Sequence, residues 1–248
     1  MKTINTYLIE KLKVSVRNTT EHTLFPKSKD ELKHMIEDEI SKNGNECSLN
    51  HINVSKIKDM SDLFFRSSFN GDISNWDVSR VENMSMMFAY SKFDGDISGW
   101  NVSKVENMDG MFTYSNFNGD ISGWNVSSVT NMSWMFYGSQ FLNGDISGWD
   151  VSNVTNMKDM FGYSKFNGDI SNWDVSSVKN MYGMFAYSKF NGDISDWDVS
   201  SVTDMSWMFY YSKFKGDIAS WNVASVSAMD KAFERSPLEN NPPKWYKR

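Results

Sequence analysis

Residues 69–92 read FNGDISNWDVSRVENMSMMFAYSK, and residues 93–116 read FDGDISGWNVSKVENMDGMFTYSN. The second stretch repeats the first column by column after 24 residues. Trp recurs at 76, 100, 124, 149, 173, 197 and 221, in steps of 24 except for one of 25, where Leu142 follows Phe141. Other columns keep the same step: Phe69 to Phe214, Ile73 to Ile218, Val78 to Val223, Met84 to Met229 and Phe88 to Phe233. A degenerate copy precedes them, with Leu49, Ile52, Val54, Ile57, Met60, Leu63 and Phe64 at the apolar positions. Eight copies make a repeat protein, since one such unit cannot bury its apolar face alone and stacking can.

Two apolar periods run within each unit. Ile73-x-x-Trp76-x-Val78 puts Trp and Val two apart, as on one face of a strand. Met84, Met87, Phe88 and Ser91 fall at i, i+3, i+4 and i+7, as on one face of a short helix. Asn70-Gly71 before Asp72 supplies a tight turn back to the next strand. The expected fold class is therefore an α/β repeat. It is a leucine-rich-repeat-like solenoid, with a parallel β-sheet on one face, short helices on the other and an N-terminal helical cap. At a strand spacing of ~4.8 Å, eight rungs span roughly 38 Å, and each Trp, Phe and Met lies on its copy in the next rung.

The expected organisation is an N-terminal cap over 1–47, the solenoid over 48–236 and a C-terminal tail over 237–248. Residues 28–43 suit a helix: Ser28 and Glu31 form a capping box, Leu32, Met35, Ile36 and Ile40 make an apolar face, and Gly44 is a stop. Leu8, Ile9, Leu12 and Val14 suit either a strand or part of a helix. At the far end Ala232, Glu234 and Arg235 replace apolar and aromatic residues. Pro237, Pro242 and Pro243 end the stacking, and Trp245 is expected to fold back on the last rung.

The repeat, with its GDISxWDVS and NMxxMF segments, resembles the BspA-like leucine-rich repeats of bacterial surface proteins, including those of mycoplasma lipoproteins. The likeness covers roughly residues 48–236. It implies the leucine-rich-repeat fold and a surface or adhesion role, and it carries no catalytic residues. The chain departs from that pattern in its first residues, MKTINTYLIEKLKV, where Glu10, Lys11 and Lys13 interrupt the apolar stretch of a signal peptide. A cytoplasmic location is expected for the chain as written, and a surface or extracellular one if a signal has been removed.

Bulk composition agrees with a binding protein. Hydrophobic residues form 40% of the 248, enough for an ordered core, and the formal charge of −6 argues against nucleic acid as a partner. No apolar run approaches the ~18 residues of a membrane span. One cysteine, Cys47, excludes an internal disulfide and suits a reducing compartment. His22, His34 and His51 share no ligand spacing, and no phosphate loop, zinc motif or nucleophile elbow is present. Ser74 and Ser79 recur only as columns. No enzymatic activity and no cofactor are expected.

Three columns are candidate sites. Asp72, Asp96, Asp120, Asp145, Asp169, Asp193 and Asp217 stack carboxylates ~5 Å apart, repelling by ~0.8 kcal/mol in water and ~3 kcal/mol at an effective dielectric of 20. Backbone N–H bonds within each turn can offset that. A calcium ladder is the alternative, although the glycine-rich calcium nonapeptide is absent. The second candidate is an acidic sheet face of Asp77, Asp150, Asp174, Asp196 and Asp198, with Asn101, Asn125 and Asn222 in the same column as Asp77. The third is an aromatic stripe opposite the expected core: Met86, Trp134 and Trp207, then Tyr90, Tyr114, Tyr163, Tyr187 and Tyr211, with Tyr137 and Tyr210 beside them. Exposed aromatics of this kind mark interaction sites, though they can also cover a thin convex layer. A protein-binding scaffold with an unidentified protein partner is the leading expectation. A carbohydrate-binding or cell-surface adhesin, and an acidic decoy of a basic protein, are the alternatives.

Overall fold

The computed structural model describes residues 21–141 and 144–246. The expected strand or helix around Leu8 to Val14, and the inserted Leu142, lie outside the described residues. One α-helix, α1 (Lys29–Asn43), opens the described chain. Ser28 Oγ accepts the N–H of Glu31 at 3.2 Å, while the Glu31 carboxylate accepts the N–H of Lys27 at 2.6 Å. Gly44, at φ 85°, closes the helix by donating to Ile40 O at 2.8 Å. Leu32 and Ile36 are buried in the common core, and the Lys29 ammonium donates to the Ser61 hydroxyl in the first rung.

Beyond α1 the expected fold class is overturned. Among the described residues there is no strand and no second α-helix, only isolated parallel bridges and a short 3₁₀ turn at Pro237–Glu239. Neither the leucine-rich-repeat-like solenoid nor its helical cap describes this molecule. Each 24-residue unit is a rung made of turns, and successive rungs stack.

The predicted strand is two turns. Trp76 N–H donates to Ile73 O at 3.1 Å and Val81 N–H to Val78 O at 2.9 Å, and later rungs repeat both bonds. The Asp and Asn side chains are the reason. Asp72 Oδ1 accepts the N–H of Ser74 at 2.9 Å, and Asp77 Oδ1 accepts that of Ser79 at 3.1 Å. Local side-chain acceptors of this kind take donors that a sheet ladder would need. Neighbouring rungs are tied here by the indoles instead: Trp100 Nε1 donates to Ile73 O at 3.2 Å, and Trp124 Nε1 to Ile97 O at 3.1 Å.

The predicted short helix fails on its dihedrals. Met86 and Tyr90 have φ of 55° and 57°, and their equivalents in every other rung are also left-handed. For non-glycine residues this costs ~1–2 kcal/mol each. Hydrogen bonds between rungs offset it. The N–H groups of Met84, Met86, Phe88 and Tyr90 donate to Asn107, Asp109, Met111 and Thr113 of the next rung at 2.9, 2.7, 2.9 and 2.7 Å. The alternate N–H groups of Met87, Ala89 and Ser91 close back three residues within the rung. These i→i+3 closures place Met84, Met87 and Phe88 inward together, so the apolar spacing imitates a helix.

The core is the expected set of columns. Phe64, Phe88, Phe112, Phe136, Phe161, Phe185, Phe209 and Phe233 stack at centroid separations between 5.5 and 5.9 Å. The 25-residue step does not break the ladder, since Asn131 pairs with Asn156 as Asn107 does with Asn131. Trp245 does fold back on the last rung. It stacks on Trp221 at 6.3 Å and donates its indole N–H to Ile218 O at 2.9 Å, as one more member of the Trp column.

Candidate interaction face

The left-handed turns aim one column of side chains outward. That column runs Arg66, Tyr90, Tyr114, Gly138, Tyr163, Tyr187, Tyr211 and Arg235, all with φ between 48° and 62°. Tyr90, Tyr114 and Tyr163 are 44, 45 and 46% exposed. Their rings nevertheless touch one another. Tyr90 stacks on Tyr114 at 5.2 Å, Tyr163 on Tyr187 at 4.2 Å and Tyr187 on Tyr211 at 4.9 Å.

Gly138 interrupts the column, and Tyr137 repairs it. The Tyr137 ring makes edge contacts with Tyr114 at 5.5 Å and Tyr163 at 5.3 Å. Glycines make room for this detour. A Cβ on Gly138 would lie 2.4 Å from the Tyr114 ring, and one on Gly162 would lie 2.8 Å from the Tyr137 ring. Burial, with Tyr114 and Tyr163 beside it, pushes the Tyr137 hydroxyl well above the ordinary tyrosine value. Burial and the neighbouring Tyr187 push Tyr163 up to about 12. Both stay neutral at physiological pH and present hydroxyl groups.

Arginines close both ends of the ladder. The Arg66 guanidinium lies 5.4 Å from the Tyr90 ring centre, and Arg235 lies 4.7 Å from that of Tyr211. Lys92, Lys165, Lys189 and Lys213 follow their tyrosines by two residues and are exposed beside them. The sequence reading missed this lysine row. The available signal was the 24-residue step from Lys165 to Lys189 to Lys213, in a column that also holds Lys92, Asn116 and Gln140.

The second aromatic column is half-buried. Trp134 and Trp207 join the tyrosine ladder through Tyr137 and Tyr210, at 4.4 and 4.3 Å. Met86 sits over Gly110, where a Cβ would meet its sulfur at 2.2 Å. Asp159 stands in the same column and was also missed. It is only 7% exposed, above Gly183, whose Cβ would overlap its carboxylate. Burial raises the Asp159 carboxyl to about 6, with Lys158 acting in the opposite direction.

The acidic face is not a sheet. Asp77, Asp150, Asp174, Asp196 and Asp198 are all exposed. Four of them are already engaged: the carboxylates of Asp77, Asp150, Asp174 and Asp198 accept the N–H two residues on, at 3.0–3.1 Å. The Asp72 column behaves likewise. Burial pushes the Asp72 carboxyl up, but bonds from the Ser74 N–H and hydroxyl and from Asn50 outweigh it and leave it below its ordinary value. Among the described residues no cluster of three or more His, Cys, Asp or Glu is placed to hold a metal ion.

The fold and this outer face define a stacked repeat protein with a continuous aromatic ladder on its surface. Residues 30–147, 92–167 and 139–245 match the family described as Mycoplasma protein of unknown function, DUF285. Together these stretches span most of the chain, and the chain belongs to that family. No curated protein and no solved structure matches it. Among the described residues no helix is long and apolar enough to cross a membrane.

Proposed function

We propose that this protein is a non-enzymatic interaction scaffold that holds a partner protein on its tyrosine face. The observation that carries this reading is the unbroken ring contact from Tyr90 to Tyr211 with most of these rings still exposed. Tyrosines fixed by their neighbours lose little rotamer freedom on binding, which favours them as interface anchors. The flanking Lys92, Lys165, Lys189 and Lys213 suit an acidic partner surface.

The carbohydrate-binding adhesin implied by the BspA-like resemblance needs ring faces open to a sugar. Along this ladder the faces of Tyr90, Tyr114, Tyr163, Tyr187 and Tyr211 stack on one another, and Tyr137 meets Tyr114 and Tyr163 by edge contacts. The acidic-decoy reading would use the exposed carboxylates of Asp77, Asp150, Asp174 and Asp198, each of which also accepts one N–H of its own turn. The test is affinity capture from the native host, comparing the natural chain with a Tyr163→Ser, Tyr187→Ser, Tyr211→Ser triple variant. The triple variant should lose the captured protein while keeping its melting curve. Capture of the same protein by both would overturn the reading.

A further inference from the structure

Among the described residues the closest pair of tyrosine rings is Tyr163 and Tyr187. Their centres lie 4.2 Å apart with the planes 17° from parallel, against 4.9 Å for Tyr187 and Tyr211 and 5.2 Å for Tyr90 and Tyr114. Edge contacts hold the pair from both sides, Tyr137 on Tyr163 at 5.3 Å and Tyr210 on Tyr187 at 5.4 Å. The two hydroxyls are hydrogen-bonding neighbours, which sets the rings in register with the Cε carbons beside each oxygen facing their counterparts. Both side chains are also open to solvent, at 46 and 37% exposure.

We infer that Tyr163 and Tyr187 are a site of oxidative cross-linking, joined carbon to carbon by a one-electron oxidant of the peroxidase or inorganic-radical class. Each phenol gives one electron to the oxidant and its hydroxyl proton to water. The two phenoxyl radicals then pair their odd electrons in a new Cε–Cε bond. Each coupled carbon passes its hydrogen through solvent to its own oxygen, which restores two phenols. The net loss is two electrons and two protons, and both hydroxyls survive. Proximity selects the partner, because separate phenoxyl radicals must meet by diffusion whereas these rings are already in contact. Burial and the neighbouring Tyr187 keep the Tyr163 hydroxyl protonated at neutral pH, so its electron and proton leave together and the radical is neutral. The new bond ties two rungs at positions 24 residues apart and fixes two exposed rings without removing a hydroxyl. Its consequence, a hardened binding surface, rests on the tyrosine-face reading; the coupling itself needs no partner.

The test uses the full chain at low micromolar concentration, oxidised by a photo-excited ruthenium trisbipyridyl complex with persulfate. Dityrosine fluorescence should appear while the chain still runs as a monomer on a denaturing gel. Tryptic mapping should recover residues 159–165 joined to residues 180–189 with two hydrogens lost. Tyr187→Phe keeps the stacked ring without the phenol and should lower that product about tenfold. Tyr182→Phe, in the same tryptic peptide, should leave it unchanged. The chain unfolded in urea should give about tenfold less of it under the same light. Three results would overturn the assignment: no linked peptide under conditions that couple free N-acetyltyrosine amide, an unchanged yield in Tyr187→Phe or in urea, or covalent dimers as the main product. None of these readouts uses a captured protein, so the cross-link and the tyrosine-face reading fail separately.

Discussion

Trp245 donates its indole N–H to Ile218 O at 2.9 Å, the bond that Trp221 makes to Ile194 at 3.1 Å one rung earlier. The tail thus supplies an eighth ring to the tryptophan column without adding a rung. Replacing Trp245 by Ala should destabilise the protein by ~2–4 kcal/mol, below the full cost of a buried Trp because this ring is only partly buried. Trp245→Phe keeps the stacking and loses the bond, so it should cost ~1 kcal/mol. Chemical denaturation followed by tryptophan fluorescence measures both. Equal losses would mean that stacking contributes nothing beyond the bond.

The detour of the tyrosine ladder depends on two glycines. Gly138→Ala puts a Cβ at a left-handed residue, φ 62°, and 2.4 Å from the Tyr114 ring. It should cost ~1–2 kcal/mol from the backbone alone. Gly162→Ala pushes against the Tyr137 ring at 2.8 Å. Combining it with Tyr137→Ala removes that clash, so the double variant should lose less than the sum of the singles. A double-mutant cycle from urea melts decides it, and strict additivity would show that the two do not touch in solution.

Asp159 predicts an unusual pH response. Burial holds its folded pKa at about 6, above the ordinary carboxylate range. The folded state therefore binds this proton more tightly than the unfolded state does. The stabilising contribution is complete below about pH 4 and is lost as pH rises through about 6. Asp159→Asn should abolish that fall and raise stability at pH 7 by on the order of 1 kcal/mol. Melting temperatures of the two proteins between pH 4 and 8 provide the comparison; parallel profiles would refute it.

The turn aspartates respond in the opposite sense. Asp72, whose carboxyl is held below its ordinary value, stabilises above the unfolded pKa, and that contribution fades as pH falls through the folded one. Asp72→Ala removes bonds from Ser74 and strands the amide of Asn50, which donates at 2.6 Å. The expected loss is ~1–3 kcal/mol. Asp72→Asn keeps an acceptor for the Ser74 N–H and should recover part of it. If Asn is as damaging as Ala, the charge and not the turn bond is what matters.

The repeat, its core columns, the helix start at Ser28 and the return of Trp245 were all legible, because burial and capping write themselves into residue type. The rung's backbone was not. Met84, Met87 and Phe88 have helical spacing, but their inward placement comes from three-residue closures whose partners lie 24 residues away. Period alone does not separate the two. Gly110, Gly138 and Gly183, scattered through aromatic columns, were the readable sign of positive φ. The strand reading failed where Asp72 and Asp77 bind the N–H groups of Ser74 and Ser79. The tyrosine stripe was expected as a set of columns on a helix, and the structure places those columns on left-handed turns. Its continuity through Tyr137 depends on Gly162 in the following rung, which no reading confined to one unit could supply.

Each rung donates the same four backbone N–H groups to the next, so deleting or duplicating a whole unit leaves that repeated set of bonds made. Gene segments encoding this protein can therefore lengthen or shorten by unequal exchange between similar units without passing through an unfolded product. Selection on such a protein can act on the number of tyrosines it displays as readily as on their identity, while α1 and Trp245 stay fixed as the two ends.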